Sequence, residues 1–398
     1  MLDTTKRLLV LGGSHYQVPF IEKAKERGLH VITCDYLPDN PGHVLAHEYH
    51  NVSTTDKAAV LALAKKLRID AIATFASDPA IATVAYVAEK LGLPGPSLSS
   101  IEKLTEKDKF RMLMKKAGLN TPVYHCTTSP EVPDFLTTST SSYVVKPVDS
   151  SGSKGITRSS GTFDGLLYSI QYALKHSRAG RCVIEEFIDG EQIHGDGFLH
   201  KGKLINHYLG DHHFYTKTNS FIPISTRWPS RFNSAIIADI VNQVEIIAKE
   251  SGYLDGPVNI EARVNSQNEV YIIEVGPRNG GNFVPIIQQR LTGFDFIEAV
   301  LANALAEEIS YTNLTLKKPG AHYILHAEAE GVFREVIKSS DISEKIFFEK
   351  IFKNPGEMVA KFTGSNATVG VYLLEFESII ERDKIMTSAC KDITVIVD

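Results

Sequence analysis

The sequence has few cysteines, and they are not clustered. Its four cysteines, Cys34, Cys126, Cys182 and Cys390, lie far apart and form neither a CxxC pair nor a spacing typical of metal ligands. This pattern argues against disulfides and against a cysteine-based zinc site. We expect reduced, mostly buried thiols in a cytoplasmic protein.

Long apolar runs and dense basic segments are also absent. The apolar run that begins at Leu8 ends at the Gly12 turn, which makes it too short for a signal peptide or a membrane span. The net charge is −5 and no block of Lys and Arg stands out, so we expect no nucleic-acid or membrane partner. With 398 residues, 43% of them hydrophobic, the chain can fill the cores of two or three globular domains.

The first part of the chain alternates strands with helices. Strands are predicted at 8–11, 30–34 and 71–75, and helices at 16–27 and 56–68. This order is typical of βαβ units and hence of a parallel, Rossmann-like sheet. Asp35 follows the second strand, where a ribose-binding acid would stand. Because the turn before it lacks a complete GxGxxG motif, a turn cap is the favoured interpretation.

A lysine interrupts the apolar strand predicted at residues 143–148. Burying an unpaired ammonium group is costly, so we expect Lys146 to have an anionic partner. The following segment, 149–156, is rich in Ser and Gly, and its backbone N–H groups can close over phosphates. It lacks the Walker spacing, and a flexible hairpin tip is the alternative.

A β-hairpin is predicted at residues 259–275, with a four-residue turn at 265–268. If the turn is symmetric, Glu261 faces Ile272, and Glu274 lies diagonally from Glu261 on the same face of the sheet. A slip of one residue would separate the two carboxylates. The register of this hairpin therefore decides whether they act together.

Two carboxylates at that diagonal spacing of roughly 7 Å repel each other by roughly 2 kcal/mol at an effective dielectric of about 20. One or two Mg²⁺ ions that also hold phosphate oxygens would suit the gap. A solvated face on which Arg263 and Arg278 pair with the glutamates is the alternative. The sequel Gly-Pro-Arg-Asn-Gly-Gly favours the metal, because it places the Arg278 fork and exposed N–H groups beside the carboxylates.

These motifs, in this order, resemble the signature of the ATP-grasp superfamily over about residues 99–310. The resemblance implies that Glu261 and Glu274 bind Mg²⁺ (or Mn²⁺). It also implies that Arg278 contacts phosphate or the carboxylate being activated, and it makes Arg278 and Lys146 the candidate catalytic residues. Some members carry an asparagine as a third metal ligand where this chain has Gly276, and Asn279 is a candidate replacement.

The resemblance also assigns the residues that bind the nucleotide. Two lysines are expected at its phosphates, namely Lys109 and Lys146. A mobile phosphate loop is expected from Ser151, Gly152, Ser153 and Gly155. The adenine hinge is expected at Glu185, Glu186, Phe187 and Ile188, with Glu191 near the ribose.

The implied architecture is an α/β fold of three domains. An N-terminal βαβ domain with a parallel sheet is expected at 1–98. A central ATP-grasp α+β domain follows at 99–315, with a small lid subdomain at about 120–190. A mixed, β-rich C-terminal α+β domain completes the chain at 316–398.

The segment 192–230 is rich in histidine and other polar residues, among them His194, His200, His207, His212, His213 and Lys217. No Hxx(x)H pair with a third ligand appears, so zinc is not favoured. We interpret these residues as polar groups on strands, one or two of which line a substrate pocket.

By resemblance we expect an ATP- and Mg²⁺-dependent carboxylate–amine ligase that forms an amide through an acyl phosphate and releases ADP and phosphate. Its partners would be a small-molecule carboxylate and an amine, and a homodimer is the assembly considered. A bicarbonate-activating enzyme is one alternative. An ATP-binding regulatory module without turnover is another, and Gly276 slightly favours it.

Overall fold

The computed structural model describes residues 5–133, 136, 142–159, 161–215, 222–310 and 318–398. Lys217 and the expected domain boundary at 315 lie outside these residues. No helix within them is long and apolar enough to cross a membrane. All four cysteines are free. Cys34 and Cys182 are buried as expected, whereas Cys126 is partly buried and Cys390 is exposed.

The N-terminal region forms the expected parallel sheet, with the strand order β3-β2-β1-β4. Its strands are β1 (Arg7–Leu11), β2 (His30–Cys34), β3 (Glu48–His50) and β4 (Ala71–Thr74). Its helices are α1 (Val18–Glu26), α2 (Pro41–Leu45), α3 (Lys57–Leu67) and α4 (Asp78–Leu91). The carboxylate of Asp35 accepts hydrogen bonds from Leu37 N and Asn40 Nδ2, so this residue caps a turn.

Helices α5 (Leu98–Thr105) and α6 (Lys107–Lys116) lead to a small antiparallel sheet in the expected lid region. The strand order of this lid is β5-β8-β6-β7, with β5 (Tyr124–Thr127), β6 (Tyr143–Pro147), β7 (Thr157–Ser159) and β8 (Cys182–Glu186). Helix α7 (Phe163–His176) packs on it through Leu166, Ile170 and Ala173, which recur at helical spacing on one face.

An eight-stranded sheet forms the body of the protein, with the order β13-β12-β9-β10-β11-β14-β18-β16. Its first five strands along the chain are β9 (Glu191–His200), β10 (Lys203–Phe214), β11 (Pro223–Trp228), β12 (Gly256–Val264) and β13 (Val270–Gly276). Three helices accompany them, α8 (Ser234–Ser251), α9 (Val284–Thr292) and α10 (Phe296–Ala304). One apolar core joins this sheet to helices of the N-terminal region, so the two regions pack as one body.

The C-terminal region extends the same sheet instead of folding apart from it. Strands β14 (Gly320–His326), β16 (Ile346–Ile351) and β18 (Thr368–Glu375) complete the eight. The remaining elements are β15 (Gly331–Lys338), α11 (Ser340–Ser343), β17 (Met358–Val359), a 3₁₀ turn (Ser365–Ala367), α12 (Ile379–Asp392) and β19 (Ile393–Val397). Antiparallel pairing of β14 with β11 and β18 carries the sheet across the expected boundary.

The hairpin of β12 and β13 has a different register from the one expected. Val264 pairs with Val270, and a bulge after Glu261 places Glu261 directly opposite Glu274. The expected diagonal arrangement is therefore wrong. The turn is one residue longer than assumed, and the bulge adds a second shift in the same direction. Both carboxylates still share one face, and they lie closer together than a diagonal pair.

Candidate active site

A cleft of about 480 Å³ lies between the lid, the central sheet and the N-terminal region. Cavities of this volume are typical of small-molecule sites. Lysine, arginine and glutamate side chains converge on it, together with three histidines. The cleft therefore joins a charged part, near the lid and strands β12 and β13, to a less charged part along strands β10, β11 and β14.

Lys146 lies inside the lid sheet, and its anionic partner is Glu185 on the neighbouring strand. Lys146 Nζ donates to Glu185 Oε2 over 2.7 Å. Arg111, from helix α6, donates through Nε to Glu185 Oε1 over 2.8 Å. All three side chains are buried, with 8%, 2% and 1% of the Lys146, Glu185 and Arg111 surfaces exposed. One carboxylate thus serves two buried cations.

The pKa values follow from this arrangement. Burial alone would raise the pKa of Glu185, but the charges of Arg111 and Lys146 outweigh it and lower that pKa to about 2. The pKa of Lys146 is lowered, chiefly by burial and further by Arg111, although Glu185 acts in the opposite direction. An additional anion at Lys146 would therefore be favoured by the two-to-one excess of cations.

The loop between β6 and β7 lies over the cleft. Ser151, Gly152, Ser153 and Lys154 line it, whereas Gly155 does not. Gly155 has a φ of +76°, and a Cβ there would lie 2.6 Å from the Pro147 ring, so the loop requires glycine at this point. The loop backbone packs against Pro147 at Gly155, and its preceding residues, 151–154, face the cleft.

A lysine two residues before the expected one reaches this loop. Lys107 lines the cleft and donates through Nζ to Ser150 O over 2.7 Å. Lys109 points away and pairs with Glu102 and Glu106 at 3.1 and 2.8 Å. The expectation that Lys109 contacts the nucleotide is not supported by this placement, because residues two apart in a helix of 3.6 residues per turn point to nearly opposite sides.

Glu186, Phe187 and Ile188 form one wall of the cleft, where the adenine hinge is expected. The Phe187 ring lies between two guanidinium groups, 3.7 Å from Arg158 and 4.8 Å from Arg263. Such contacts are cation–π interactions and fix the ring in place.

Glu191, expected near the ribose, lies elsewhere. Its carboxylate is exposed and pairs with Arg231 at 2.7 Å, and it does not line the cleft. The next residue, Gln192, points to the other face of β9 and donates through Nε2 to Glu261 Oε2 over 2.9 Å. Gln192 therefore orients one of the two facing carboxylates.

Glu261 and Glu274 both line the cleft, opposite each other on β12 and β13. Burial first, and then the charge of Glu274, raises the pKa of Glu261. The two facing carboxylates supply the oxygen ligands that Mg²⁺ prefers. The raised pKa of Glu261 shows that the neighbouring side chains do not fully compensate the charge of the pair. No cluster of three or more His, Cys, Asp or Glu side chains suited to a metal occurs in the described ranges, so further ligands would come from phosphate oxygens and water.

Arg278 follows β13 and forms a two-point pair with Asp78 of the N-terminal region. Arg278 Nε and Nη2 donate to the two oxygens of Asp78 over 2.5 and 3.0 Å, and Nη1 donates to Asn279 O over 3.1 Å. Burial would lower the pKa of Arg278, but Asp78 and nearby acids raise it above the ordinary value. These contacts use three of the five N–H donors of a guanidinium group, which leaves one on each terminal nitrogen.

A buried carboxylate, that of Asp196, stabilises the turn that carries Arg278. Asp196 is fully buried and accepts hydrogen bonds from Gly280 N and from Asn259 Nδ2. Burial, partly offset by these bonds, raises the pKa of Asp196 to about 6. Asn279 is buried in the same turn, where its Oδ1 accepts from Ala76 N. Because the amide of Asn279 faces the N-terminal region, Asn279 does not replace the metal-binding asparagine that some superfamily members carry where this chain has Gly276.

Three histidines line the cleft beyond Glu261. The register pairs Glu261 with His194, and it pairs Thr226 with both His212 and His322. The rings of His194 and His212 contact each other at a tilt, with centroids 4.5 Å apart, and both hydrogen-bond through Nδ1 to Thr226 Oγ1. Neither ring nitrogen of His322 has a hydrogen-bond partner within the described part of the chain.

Comparison with known proteins identifies the central region. Residues 139–285 match the family described as the ATP-grasp domain. Over these residues the chain is similar to an ATP-grasp domain. The expected recognition and the α/β fold class are thereby confirmed, and so is the expectation of an ATP-grasp enzyme.

Relatives and solved structures extend the likeness beyond the matched residues. The uncharacterized protein y4rH of Sinorhizobium fredii is 26% identical over 391 residues, which cover 94% of this chain and 79% of that protein. The formate-dependent phosphoribosylglycinamide formyltransferase of Paraburkholderia xenovorans is 31% identical over 200 residues, or 48% of each chain. The structure of the L-amino acid ligase from Bacillus licheniformis has a TM-score of 0.85 at 22% identity and covers 99% of both chains. The fold is therefore shared over nearly the whole chain.

Most of the site residues expected from the sequence converge in the ATP-grasp cleft. Those that line it are Lys146, Ser151, Gly152, Ser153, Glu185, Glu186, Phe187, Ile188, Glu261, Glu274 and Arg278. Lys109, Gly155 and Glu191 do not. Sequence reasoning missed Asp78, Lys107, Arg111 and Gln192, which belong to the same cleft or its support. Arg111 had one detectable signal, since it recurs with Phe110 and Met114 on the apolar side of an amphipathic helix.

Proposed function

We propose that this protein is an ATP- and Mg²⁺-dependent ligase that joins a carboxylate to an amine through an acyl phosphate and releases ADP and phosphate. The observation that carries the proposal is the convergence in one cleft of two facing carboxylates, Glu261 and Glu274, with Lys146 and Arg278. The proposed reaction does not require a side-chain nucleophile, and none of these four residues acts as one. The arrangement is suited to positioning phosphates and offsetting their charge, which is the main catalytic requirement of phosphoryl transfer.

Glu261 and Glu274 are the residues that would hold Mg²⁺. When bound, the ion supplies positive charge that offsets phosphate oxygens. Gln192 keeps Glu261 oriented by its hydrogen bond to Oε2. The raised pKa of Glu261 supports this role, because a pair of carboxylates that repel each other binds a cation more readily than either would alone.

Lys146 would contact a phosphate oxygen while it keeps its pair with Glu185. Since Glu185 also pairs with Arg111, this group carries one net positive charge before nucleotide enters. The phosphate loop, with Lys154, would close over the nucleotide from the opposite side. Phe187 and its neighbours in the hinge would contact the base.

Arg278 would hold the carboxylate or the transferring phosphoryl group with its two remaining N–H donors, while Asp78 fixes the plane of the guanidinium. In the proposed first step a carboxylate oxygen attacks the γ-phosphorus, and the bond to the β-phosphate oxygen breaks. In the second step an amine attacks the carbonyl carbon, phosphate leaves, and the amine loses a proton. Each step conserves charge without an oxidant or a reductant.

The named relatives support a reaction of this type. One acts as a formate-dependent formyltransferase and another as an L-amino acid ligase, by their names. We accordingly propose small-molecule carboxylate and amine substrates, a cytoplasmic location and ATP with Mg²⁺ as the required cofactors. The domain limits given above and the homodimer stay predictions.

The proposal is tested by ADP release with a panel of amino acids and simple carboxylates, with and without bicarbonate. The expected result is ADP release that depends on one carboxylate and an amine, and a hydroxamate when hydroxylamine replaces the amine. ADP release driven by bicarbonate alone would favour the bicarbonate-activating alternative. Tight ATP binding without release under any condition would favour the regulatory module, which the glycine at position 276 makes worth testing.

A further inference from the structure

His322 presents an unsatisfied polar group to the cleft. Its side chain is 1% exposed, it lines the cleft, and neither ring nitrogen has a hydrogen-bond partner among the described residues. Leaving a buried polar group unpaired destabilises the folded state. A native structure that keeps such a group beside an open cavity is explained most simply by a ligand that pairs with it.

The surroundings of His322 show which ligands fit. The described lining residues on β10, β11 and β14 and just before β11 are His212, Phe214, Ile222, Pro223 and His322, none of which carries a formal charge when histidine is neutral. Burial above all, with neighbouring histidines, lowers the pKa of His322 to about 3, so its ring is neutral at physiological pH. Arg263 and Arg278 also line the cleft, but they act electrostatically on His212 and His194 and not on His322. A charged ligand group at His322 would therefore lose its hydration without a counter-charge beside it.

A neutral imidazole has one N–H donor and one acceptor nitrogen. The matching ligand group must therefore both donate and accept, as a carboxamide or a hydroxyl does. His194 and His212 both hydrogen-bond to Thr226 Oγ1, and they line the part of the cleft between His322 and Glu261.

The position of the histidines indicates which part of the substrate they contact. The sheet order places His194 one strand from β12 and His322 four strands from it. At about 4.8 Å between neighbouring strands, these positions lie roughly 5 and 19 Å from the metal-binding carboxylates. The atoms that react lie near Glu261, so the histidines contact the body of the substrate.

We propose that His194, His212 and His322, together with Thr226, form a subsite for an uncharged hydrogen-bonding side chain of an amino-acid substrate. The choice of an amino acid rests on the proposed function, whereas the preference for an uncharged group rests on the histidines alone.

The chain carries a built-in reporter for this subsite. Trp228 is the only tryptophan, and its ring centroid lies 5.5 Å from that of His322. It is fully buried and donates through Nε1 to Tyr208 O. The fluorescence of Trp228 should therefore change when a ligand hydrogen-bonds to His322 and should stay constant when a ligand binds elsewhere.

The test uses the full chain with ADP and Mg²⁺ and two probe pairs of equal size, glutamine with glutamate and asparagine with aspartate. We expect a saturable change in Trp228 fluorescence with glutamine or asparagine, and at least about tenfold weaker binding of the matching acid, a difference of about 1.4 kcal/mol. His322→Phe should abolish the response, and His322→Gln, which keeps a donor and an acceptor, should restore part of it. Binding by calorimetry checks the variants independently of the fluorescence.

His213→Gln is the matched control. His213 also has an unpartnered nitrogen, but it lies on the opposite side of β10 and does not line the cleft. It should leave the affinity for glutamine unchanged. Acids that bind as tightly as the amides, no response to any of the four probes, or an equal loss in His213→Gln would overturn the subsite.

The two proposals fail separately. If glutamine binds in a manner that depends on His322 but no carboxylate drives ADP release, the ligase is wrong and the subsite stands. If carboxylates drive ADP release but no binding depends on His322, the subsite is wrong and the ligase stands.

Discussion

The two ends of the cleft differ in how their buried polar side chains are paired. At the lid end, Glu185 lies between Lys146 and Arg111 and makes a close ion pair with each of them. At the far end of the central sheet, three buried histidines lose their charge through burial, and His322 keeps two unpartnered nitrogens. The lid end is preorganised for an anion that carries several charges. The histidine end is suited to a neutral group, and we expect the substrate to run from one to the other.

The largest effect on stability is expected at the paired end. Glu185→Gln leaves Arg111 and Lys146 buried without their anion, and breaking such a pair typically costs about 3–5 kcal/mol. Urea unfolding without nucleotide measures this loss.

The control for that variant is Glu186→Gln, one residue along and only half-buried, which should change the free energy of unfolding by less than about 0.5 kcal/mol. His322→Phe should be neutral or stabilising, because it removes an unpaired polar group. Similar losses at both ends would break the comparison.

The largest effect on turnover is expected from Glu274→Gln. It removes one of the two proposed metal ligands, and the loss of several kcal/mol of charge stabilisation corresponds to about 10³-fold in rate. ADP release at saturating Mg²⁺ is the measurement. Glu269→Gln, at the exposed turn of the same hairpin, should retain full activity, and normal turnover in Glu274→Gln would remove Glu274 from the metal site.

Arg278→Lys should have the next largest effect. Lysine cannot hold Asp78 at two points and still offer a fork to substrate, so turnover at saturating carboxylate should fall by about 10²-fold, the scale for one lost transition-state donor. The affinity for ATP, measured by calorimetry, should stay nearly unchanged. A variant that loses ATP binding but keeps its maximal rate would place Arg278 with the nucleotide instead.

The facing carboxylates should give the metal-free protein a distinctive pH dependence. The folded pKa of Glu261 is raised, so the unfolded chain releases this proton first, and the stability falls as the pH rises above the ordinary value near 4.5. Glu261→Gln should lack this fall. Unfolding in the presence of a chelator from pH 4.5 to 8 compares the two proteins, and Mg²⁺ should restore the native protein mainly at the upper end. Parallel pH profiles would mean that the pKa of Glu261 is not raised in the folded protein.

The smallest effect is expected at Gly276. A Cβ added there would lie 3.7 Å from Glu274 Oε1 and 3.8 Å from Arg278, which is ordinary contact distance, so the backbone position accepts a side chain. Gly276→Asn should tighten Mg²⁺ binding by a few-fold without loss of stability, and Gly276→Ala is its control. Metal titration of both variants decides whether the missing ligand matters.

How far the sequence could predict this molecule differs between the same two ends. The phosphate loop, Lys146 and the two glutamates carry residue types in an order that resembles a known superfamily, so they were predicted. The histidine subsite was predicted only as one or two pocket-lining groups. Its members lie on β9, β10 and β14, and only the pairing of β11 with β14 brings His322 beside Thr226.

The hairpin shows a second limit. Strand periodicity predicted that Glu261 and Glu274 share a face, but the bulge after Glu261 has no sequence signal, so the direct opposition was missed. Asp78 and Arg278 are 200 residues apart, and their pair depends on how the N-terminal region packs against the central sheet. Contacts between distant segments were in general the part that the sequence could not show.

The most direct test of the central claim follows an oxygen atom. The carboxylate that drives ADP release is labelled with ¹⁸O in both oxygens, and the phosphate released during one turnover with the amine is analysed by mass spectrometry. An acyl phosphate predicts that each phosphate carries one ¹⁸O from the carboxylate, and that Glu274→Gln and Arg278→Lys slow its appearance. Phosphate without ¹⁸O, released at the same rate as the amide, would contradict activation of the carboxylate in this cleft.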